Sequence, residues 1–465
     1  MRSAVTVLIF ALTVSGCIFR EVREQQEMLD ASCRIEGTVA SGASRELPSL
    51  IVVLLVAEPA GGGALQLLPH IDDYFVVERA GRWAFVVGSG NYRIAAFEDL
   101  NADLAYQAGE PFVGRQTARP IACGAGSHID DITLALPAQS AGRFDLELDV
   151  AALQARSVAM QGAGTLGELT TVGELTSLSD ARFDRKTADN GLWRPLDFIV
   201  SSHPGVYFLE PYDRHKMPVL FVHGVNDSPA GFSDLVASLD RSRFQPWFYS
   251  YPSGVHMDVI ADHLNQTMAK LQARYRVGQY AVVGHSMGGL VARGFILRHA
   301  DSSLAAEIPL FISISTPWAG HKGAQLGVKY SPTVVDAWRD MAPGSDYLGS
   351  LFARPLPTAT CHYLLFSFKR GSSSSGESND GNVTVASQLA GDAQGQAVLV
   401  RGFDDTHEGM LHNTAVAHVV NEALAQEFAT ERPGGRNADG PLGYCRRTSD
   451  AISGVTSAGA RGEGS

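Results

Sequence analysis

The chain has 465 residues, a net charge of −12 and a hydrophobic content of 45%, a composition typical of a globular protein with room for two folded units. It contains no lysine- and arginine-rich block that would neutralise phosphates, so we do not expect it to bind nucleic acid. No run of 18 or more apolar residues lies in the body of the chain, so we expect no membrane-spanning helix there.

The N-terminus has the layout of an export signal. Arg2 precedes an apolar run, which ends in the small residues before Cys17. The letters VSGC resemble the lipobox of bacterial lipoproteins. This resemblance implies a signal peptide at residues 1–16, a lipidated Cys17 that holds the protein on a membrane, and a tether at residues 17–32. Ile18 after the cysteine favours the outer membrane in the same resemblance, and an ordinary signal peptide with an incidental cysteine is the alternative.

Export would place the other four cysteines in an oxidising compartment. Cys33 and Cys123 flank one putative domain, and Cys361 and Cys445 bracket the end of another. We therefore predict the disulfides Cys33–Cys123 and Cys361–Cys445, although four cysteines permit three pairings. No cysteine has a metal-binding spacing, and we predict neither a metal nor another cofactor.

Residues 33–136 contain short alternating apolar stretches separated by Gly, Pro and Asn. This spacing predicts an antiparallel β-sandwich. The pattern resembles the small prealbumin-like or carboxypeptidase-regulatory-like modules that accompany enzymes.

One loop of this region has the spacing of a calcium site. Its oxygen-bearing residues stand at loop positions 1, 3, 5 and 12, but Leu104 takes position 6, where such loops need glycine. We interpret the loop as a solvated acidic turn, with calcium binding as the alternative. The four residues are Asp99, Asn101, Asp103 and Glu110.

Beyond a connector at residues 137–192, apolar runs alternate with amphipathic stretches through residues 193–430. Near-continuous apolar strands between helices predict a buried, mainly parallel sheet covered on both faces, the α/β class. The tail, residues 431–465, is rich in Gly, Ser and Arg, and we expect it to be flexible.

Ser286 is the candidate nucleophile. It is the centre of Gly284-His285-Ser286-Met287-Gly288, a G-x-S-x-G motif that an apolar strand enters and an apolar-periodic helix leaves. This strand–turn–helix context predicts an elbow that exposes the serine hydroxyl at the edge of the sheet. The two glycines would leave room for the tight turn, and we expect His285 to pack under it.

A serine hydroxyl needs a base, and the base needs an orienting acid. We predict Asp380 as the acid and His407 as the base, because each follows an apolar strand and the order Ser, Asp, His suits such a sheet. The alternative acids are Asp392, Asp404 and Asp405, and the alternative base is His412.

The same chemistry needs two N–H donors for the oxyanion. We predict the backbone N–H groups of Met287 and Val225, with Gly224 allowing the sharp turn after a strand and His223 supporting that loop.

Five stretches, VLFVHGVNDSP, WFYSYPSG, VVGHSMGGLVARGFI, ISTPWAG and NDGNVTVAS, resemble bacterial lipases and esterases of the α/β-hydrolase fold. The similarity is greatest to PGAP1-type and triacylglycerol-lipase-type hydrolases. It implies a Ser286–Asp380–His407 serine hydrolase acting on acyl lipids or smaller esters, with residues 319–360 as a cap over the pocket.

Two other functions stay open. The same triad could serve a thioesterase, amidase or transacylase, because a fold does not fix a substrate. A lipoprotein that binds a partner through its sandwich, with an inert hydrolase fold, is the third possibility.

Overall fold

The computed structural model describes residues 23–138 and 170–428, apart from gaps at 26, 29–30, 43–49, 59–69, 78–79, 102, 108, 115–118, 303–305, 372 and 375–376. Cys17, the signal segment up to residue 16, Cys445 and the tail from residue 431 lie outside the described residues, and the predictions made for them stay predictions. Within the described part, no helix is both long and apolar enough to cross a bilayer.

The N-terminal region is all-β. Its strands are β1 (Cys33–Ser41), β2 (Leu50–Glu58), β3 (His70–Val77), β4 (Ala80–Val87), β5 (Gly90–Asp99), β6 (Phe112–Gly114), β7 (Ile121–Cys123) and β8 (His128–Leu136). They form two sheets, β4-β1-β8 and β3-β2-β5-β6, with β7 also paired to β5. The expectation of a purely antiparallel sandwich is wrong in one place, because β1 and β8 pair in parallel.

Alternation along the strands fills this domain. Ile51, Val53 and Leu55 of β2 face a core that includes Trp83 and Phe85, and Val52 and Leu54 face a second cluster on the other side of the same strand. Side chains of successive strand residues point to opposite faces, so a strand buried on both faces reads as a continuous apolar run. The predicted Cys33–Cys123 disulfide is confirmed, with Cα atoms 5.7 Å apart.

The second region is an eight-stranded sheet with helices on both faces. Its strands are β9 (Thr171–Leu175), β10 (Gly205–Phe208), β11 (Met217–Val222), β12 (Phe244–Ser250), β13 (Gln279–His285), β14 (Glu307–Ile314), β15 (Cys361–Phe368) and β18 (Ala397–Asp404), and a small hairpin, β16 (Ser373–Ser374) and β17 (Glu377–Ser378), follows β15. The order across the sheet is β18-β15-β14-β13-β11-β12-β10-β9.

Six of these strands, β18 to β12 in that order, run parallel to one another, and β10 pairs antiparallel with β12. The mainly parallel α/β sheet is as predicted. The sheet starts earlier than the expected boundary at residue 193, because β9 pairs with β10 at its edge.

Eleven described helices accompany the sheet, together with 3-10 turns at Ala181–Phe183, Pro229–Phe232 and Gly409–Leu411. They are α1 (Arg185–Trp193), α2 (Pro195–Ser202), α3 (Ser233–Ala237), α4 (Met257–Tyr275), α5 (Met287–Asp301), α6 (Lys322–Tyr330), α7 (Asp336–Met341), α8 (Asp346–Leu351), α9 (Val385–Gln388), α10 (Gly391–Gln396) and α11 (Thr414–Glu427).

The two faces of the sheet carry separate cores. Leu220 and Val222 of β11 pack in the cluster that contains α4 and α5, while Val219 and Phe221 of the same strand pack in the cluster that contains α3 and α11. Burial on both faces fixes the register of each strand, since a shift by one residue would exchange its two faces. The carboxyl ends of the parallel strands therefore meet along one defined edge.

The two regions touch through α4. Ala269 and Ala273 belong to the apolar clusters of the sandwich. Lys270 forms an ion pair with Asp73 of β3 at 2.5 Å. Arg34 of β1 contacts Asp262 at 2.6 Å. The junction thus combines apolar contact with buried charge pairs.

Candidate active site

Ser286 lies between the last residue of β13 and the first residue of α5. Its backbone angles are φ 55° and ψ −127°, an unfavourable conformation for a residue with a Cβ. Its N–H donates to the carbonyl of Ile314 at 2.8 Å, which ties the turn to β14. A serine held in a strained strand-to-helix turn at the carboxyl edge of the sheet is the geometry of a nucleophile elbow.

The glycines on either side of Ser286 are required by space. A Cβ at Gly288 would lie 2.1 Å from the carbonyl oxygen of Val222, and one at Gly284 would lie 2.7 Å from that of Gly288. Both obstacles are backbone atoms, which cannot rotate away. The turn therefore packs against β11 and its own helix more closely than any side chain allows.

Asp380 and His407 are 27 residues apart and in direct contact. Asp380 follows the β16–β17 hairpin, and His407 comes three residues after β18. His407 Nδ1 lies 2.7 Å from Asp380 Oδ2, and the backbone N–H of His407 donates to the Asp380 carbonyl at 3.0 Å. A carboxylate can only accept, so Nδ1 carries the proton and Nε2 is left as the acceptor nitrogen.

The Asp380 carboxylate is completely buried, with 0% of the residue exposed. Burial alone would raise its pKa, but the hydrogen bond and charge of His407, followed by the Ser367 hydroxyl and the Val383 N–H, outweigh burial and lower the pKa. The carboxyl group is therefore ionised across the neutral range.

His407 Nε2 is buried and has no hydrogen-bond partner among the described residues. Among the described residues, no hydrogen bond joins His407 Nε2 to Ser286 Oγ. The His407 ring lies beside the elbow, with its centroid 4.9 Å from that of the His285 ring. In substrate-free enzymes the bond between nucleophile and base is commonly long and tightens when substrate binds.

The alternative acids and base lie elsewhere. His412 pairs with Asp234 at 2.9 Å, Asp404 pairs with Arg370 at 3.1 Å, and Asp405 accepts from the side chain of Asn413. Asp392 is exposed in the first turn of α10. Of the predicted candidates, the structure brings together Asp380 and His407, next to Ser286.

The two predicted oxyanion donors flank Ser286. Met287 is the first residue of α5, and the N–H groups of a first helical turn have no acceptor within the helix. On the other side, a Cβ at Gly224 would lie 3.0 Å from Ser286 Cβ, so the loop that carries Val225 passes directly over the serine. Gly224 and Met287 thus both lie next to Ser286, one in the loop after β11 and one at the start of α5.

His223 and His285 are structural. The His223 ring stacks on Tyr251 at 4.1 Å, and burial lowers the pKa of His223 to about 4. Burial lowers the pKa of His285 to about 3, so the ring is neutral. Because the His407 carbonyl can only accept, the proton lies on Nε2 of His285, which donates at 3.1 Å. Two buried neutral imidazoles thus hold the loops on either side of the elbow, and neither is placed as the base.

The acidic loop for which calcium binding was the alternative begins at the end of β5. Asp99 and Glu110 are buried, with 0% and 4% exposed, so the interpretation as a solvated acidic turn is wrong for these two residues. Their carboxylates accept from N–H groups of the loop itself, including Leu104 to Asp99 at 2.8 Å and Gln107 to Glu110 at 2.8 Å. Asn101 and Asp103 are exposed.

One group of potential metal ligands escaped the sequence reasoning. Ligand atoms of His256, Asp258 and Asp340 lie within 4.8 Å of one another. His256 Nδ1 is 3.1 Å from Asp340. Although burial lowers the pKa of His256, Asp340 and its neighbouring carboxylates raise it to about 9, so the metal-free imidazole is protonated at neutral pH. The group is an ion pair that also caps α4, because the Met257 N–H donates to Asp340 at 2.7 Å.

The expected cap segment, residues 319–360, folds into the three short helices α6, α7 and α8. Trp318, Met341, Tyr347 and Leu348 around it are buried, whereas Tyr330 is 69% exposed. Most of the large apolar residues of the cap segment are therefore packed in the core. Within the segment, His321 accepts from the Ala324 N–H and contacts Asn382, two residues from Asp380.

A cavity of about 380 Å³ lies at the junction of the two regions. Its walls include Arg34, Val86, Ile199, Val259 and His263. None of its lining residues belongs to the group around Ser286.

The order of the strands, the elbow after β13 and the acid and base after later strands define the α/β-hydrolase fold, preceded here by an all-β region. A family model described as "Alpha/beta hydrolase of unknown function (DUF915)" matches residues 255–427, less than half of the chain. No match was found among curated protein sequences.

Solved structures with detectable similarity include three lipolytic enzymes. The mature lipase BlEst2 of Bacillus licheniformis is 16% identical over 47% of this chain and 97% of its own, with a TM-score of 0.38. Aspergillus fumigatus lipase B is 14% identical over 47% and 55%, with a TM-score of 0.35. Phospholipase PlaB of Legionella pneumophila is 20% identical over 37% and 45%, with a TM-score of 0.31. These similarities are too remote to bear on a substrate.

Proposed function

We propose that the protein is a serine hydrolase that cleaves carboxylic esters through an acyl-enzyme, with Ser286 as nucleophile, His407 as base and Asp380 as the orienting acid. The observation that carries the proposal is the 2.7 Å contact between His407 and Asp380 beside a strained serine. It fixes the imidazole in the tautomer whose free nitrogen can take a proton.

In the proposed reaction, Nε2 of His407 takes the proton of Ser286 Oγ as the oxygen attacks the ester carbonyl. The N–H groups of Val225 and Met287 bind the oxyanion, and ionised Asp380 stabilises the imidazolium. His407 then gives the proton to the departing alcohol, and water releases the acyl group by the same route. No redox or metal-dependent step enters this sequence.

The test is active-site labelling with a fluorophosphonate, followed by hydrolysis of p-nitrophenyl esters of increasing chain length. We expect wild type to be labelled and active and Ser286→Ala to lose both. Ser201→Ala, in which an exposed serine at the end of α2 is changed, is the matched control and should keep both. Folded wild type that takes no label would favour an inert binding protein.

The substrate class is tested on the same preparation with acyl-thioesters, amides and phospholipids. We propose acyl lipids or smaller esters as substrates, in keeping with the sequence similarity to triacylglycerol-lipase-type and PGAP1-type hydrolases. Hydrolysis of thioesters or amides with no activity on oxygen esters would replace this proposal with a thioesterase or amidase on the same triad.

We also propose that lipid on Cys17 anchors the enzyme to the bacterial outer membrane. The support is the sequence VSGC followed by Ile18. Metabolic labelling with a tritiated fatty acid should mark wild type and not Cys17→Ser, and membrane fractionation should release the variant. Equal labelling of both would contradict lipidation at this cysteine.

A further inference from the structure

Asp380, the acid of the proposed triad, accepts hydrogen bonds from several groups besides His407. Asp380 Oδ2 accepts from His407 at 2.7 Å, from the Ser367 hydroxyl at 2.6 Å and from the Gln388 amide at 3.1 Å. Oδ1 accepts from the N–H groups of Asn382 and Val383 at 2.9 and 2.7 Å. Hydrogen bonds to a carboxylate spread its charge over several donors.

The Ser367 hydroxyl belongs to a chain of hydrogen bonds. Ser315, the residue after β14, lies 2.7 Å from it, oxygen to oxygen. Because ionised Asp380 can only accept, Ser367 must donate to Asp380, and its oxygen is then free to accept from Ser315. The chain therefore has one direction, from Ser315 to Ser367 to Asp380. All three residues have 0% of their surface exposed, so water does not compete.

Hydrogen bonds linked in one direction strengthen one another in a buried environment. Each donor that draws on the Asp380 charge leaves less of it to stabilise a protonated His407. A catalytic base must stay unprotonated at the working pH, so donors behind the carboxylate regulate how readily His407 binds a proton.

We propose that Ser367, supported by Ser315, is a positioning residue that shares the charge of Asp380 and thereby keeps His407 unprotonated towards acidic pH. The inference rests on the proposed triad. Neither serine touches the reacting atoms in this assignment, and both act through Asp380.

The other ionisable groups around His407 are few. Asp227, in the loop after β11, and His285, at the end of β13, interact with it electrostatically, and Glu408 follows it in the chain. His285 also faces Asp380. The proposed variants leave all of these in place, so a shift in the titration of His407 reports on the hydroxyl chain.

The experiment is the pH dependence of kcat/KM on a p-nitrophenyl ester for wild type, Ser367→Ala, Ser315→Ala and the double variant. Loss of the Ser367 hydroxyl should move the acidic limb of the pH profile up by about one pH unit, because Asp380 then stabilises protonated His407 more strongly. One unit corresponds to a tenfold change in proton affinity. Activity below the limb then falls by about tenfold, and activity on the alkaline plateau changes less. Ser315→Ala should shift the limb in the same direction by a smaller amount.

The double variant separates this role from a packing role. If Ser315 acts only through Ser367, the double variant should match Ser367→Ala, whereas independent packing defects would add. Ser313→Ala is the matched control, because Ser313 is a buried β14 serine whose hydroxyl contacts His362 instead of an acid. It should leave the limb in place.

A proton NMR spectrum gives a readout that does not need turnover. The low-field resonance of the His407 Nδ1 proton should move further downfield in Ser367→Ala, because Asp380 then bonds more strongly to His407. An unmoved limb and resonance, or a limb that moves to lower pH as for a misplaced Asp380, would overturn the inference. Wild type that takes no fluorophosphonate label would instead overturn the proposed function, so the two failures are distinguishable.

Discussion

Two buried pairs of a carboxylate and a basic side chain, His407–Asp380 and Lys270–Asp73, differ in which polar atoms stay unpaired. At the edge of the sheet, Asp380 satisfies one nitrogen of His407 and leaves the other buried without a partner among the described residues. At the junction of the two regions, Lys270 is held between Asp73 and the face of Tyr74. The first arrangement leaves one imidazole nitrogen unpaired, as the proposed catalytic base requires, and in the second the ammonium group is paired within the protein.

The difference indicates how a site is distinguished from a structural ion pair. Both settings are buried, and a cavity of about 380 Å³ lies at the junction. The proposed triad is marked by a strained serine and by an acceptor nitrogen that has no partner among the described residues. Loss of charge should therefore affect chemistry at the edge and stability at the junction.

The largest effect is expected from Asp380→Asn. An amide would still fill the space, but it can present an N–H to His407 and favour the wrong tautomer. We expect kcat to fall by roughly a thousandfold to ten-thousandfold, with a much smaller change in KM. Steady-state hydrolysis of a p-nitrophenyl ester checks this.

The matched control is Asp392→Asn, which changes one of the alternative acids, exposed on α10. It should keep wild-type rates. If Asp392→Asn lost activity and Asp380→Asn kept it, the acid would have been assigned to the wrong strand.

The next effect is on stability. Lys270 is 5% exposed and Asp73 11%, and Lys270→Met would leave the Asp73 carboxylate without its cation. Breaking such a buried pair costs about 3 kcal/mol. We expect the urea midpoint to fall accordingly, while kcat per folded molecule stays that of wild type.

Lys322→Met removes a lysine whose pair with Glu377 is largely exposed, at 60% and 46%. Exposed pairs contribute little, so this control should leave the urea midpoint close to wild type. Equal decreases of the urea midpoint in the two variants would mean that the Lys270–Asp73 pair stabilises the protein no more than an exposed pair does.

The sequence predicted the sheet and its elbow because burial on both faces and the glycines around Ser286 leave local traces. The order of the motifs along the chain also selected Asp380 and His407, since each follows a strand that ends at the same edge. No local sequence pattern predicts the roles of Ser367 and Gln388, because the fold of β15 and α9 is what brings their side chains to Asp380. The parallel pairing of β1 with β8, the inclusion of β9 in the sheet and the His256–Asp340 pair also depend on contacts distant in sequence.

The smallest effect concerns that last pair, which joins α7 to the start of α4. The pKa of His256 is raised from 6.5 to about 9 in the folded chain, so protonated His256 stabilises the fold below about pH 6.5 and this contribution is lost as pH rises through 9. The side chain is 38% exposed, so solvent weakens the effect. We expect His256→Gln to melt a few degrees below wild type at pH 6 and together with it at pH 10. His418→Gln, which changes a 75% exposed histidine on α11, should track wild type throughout, and a difference for His256→Gln that stays constant with pH would show that the ring packs without its charge.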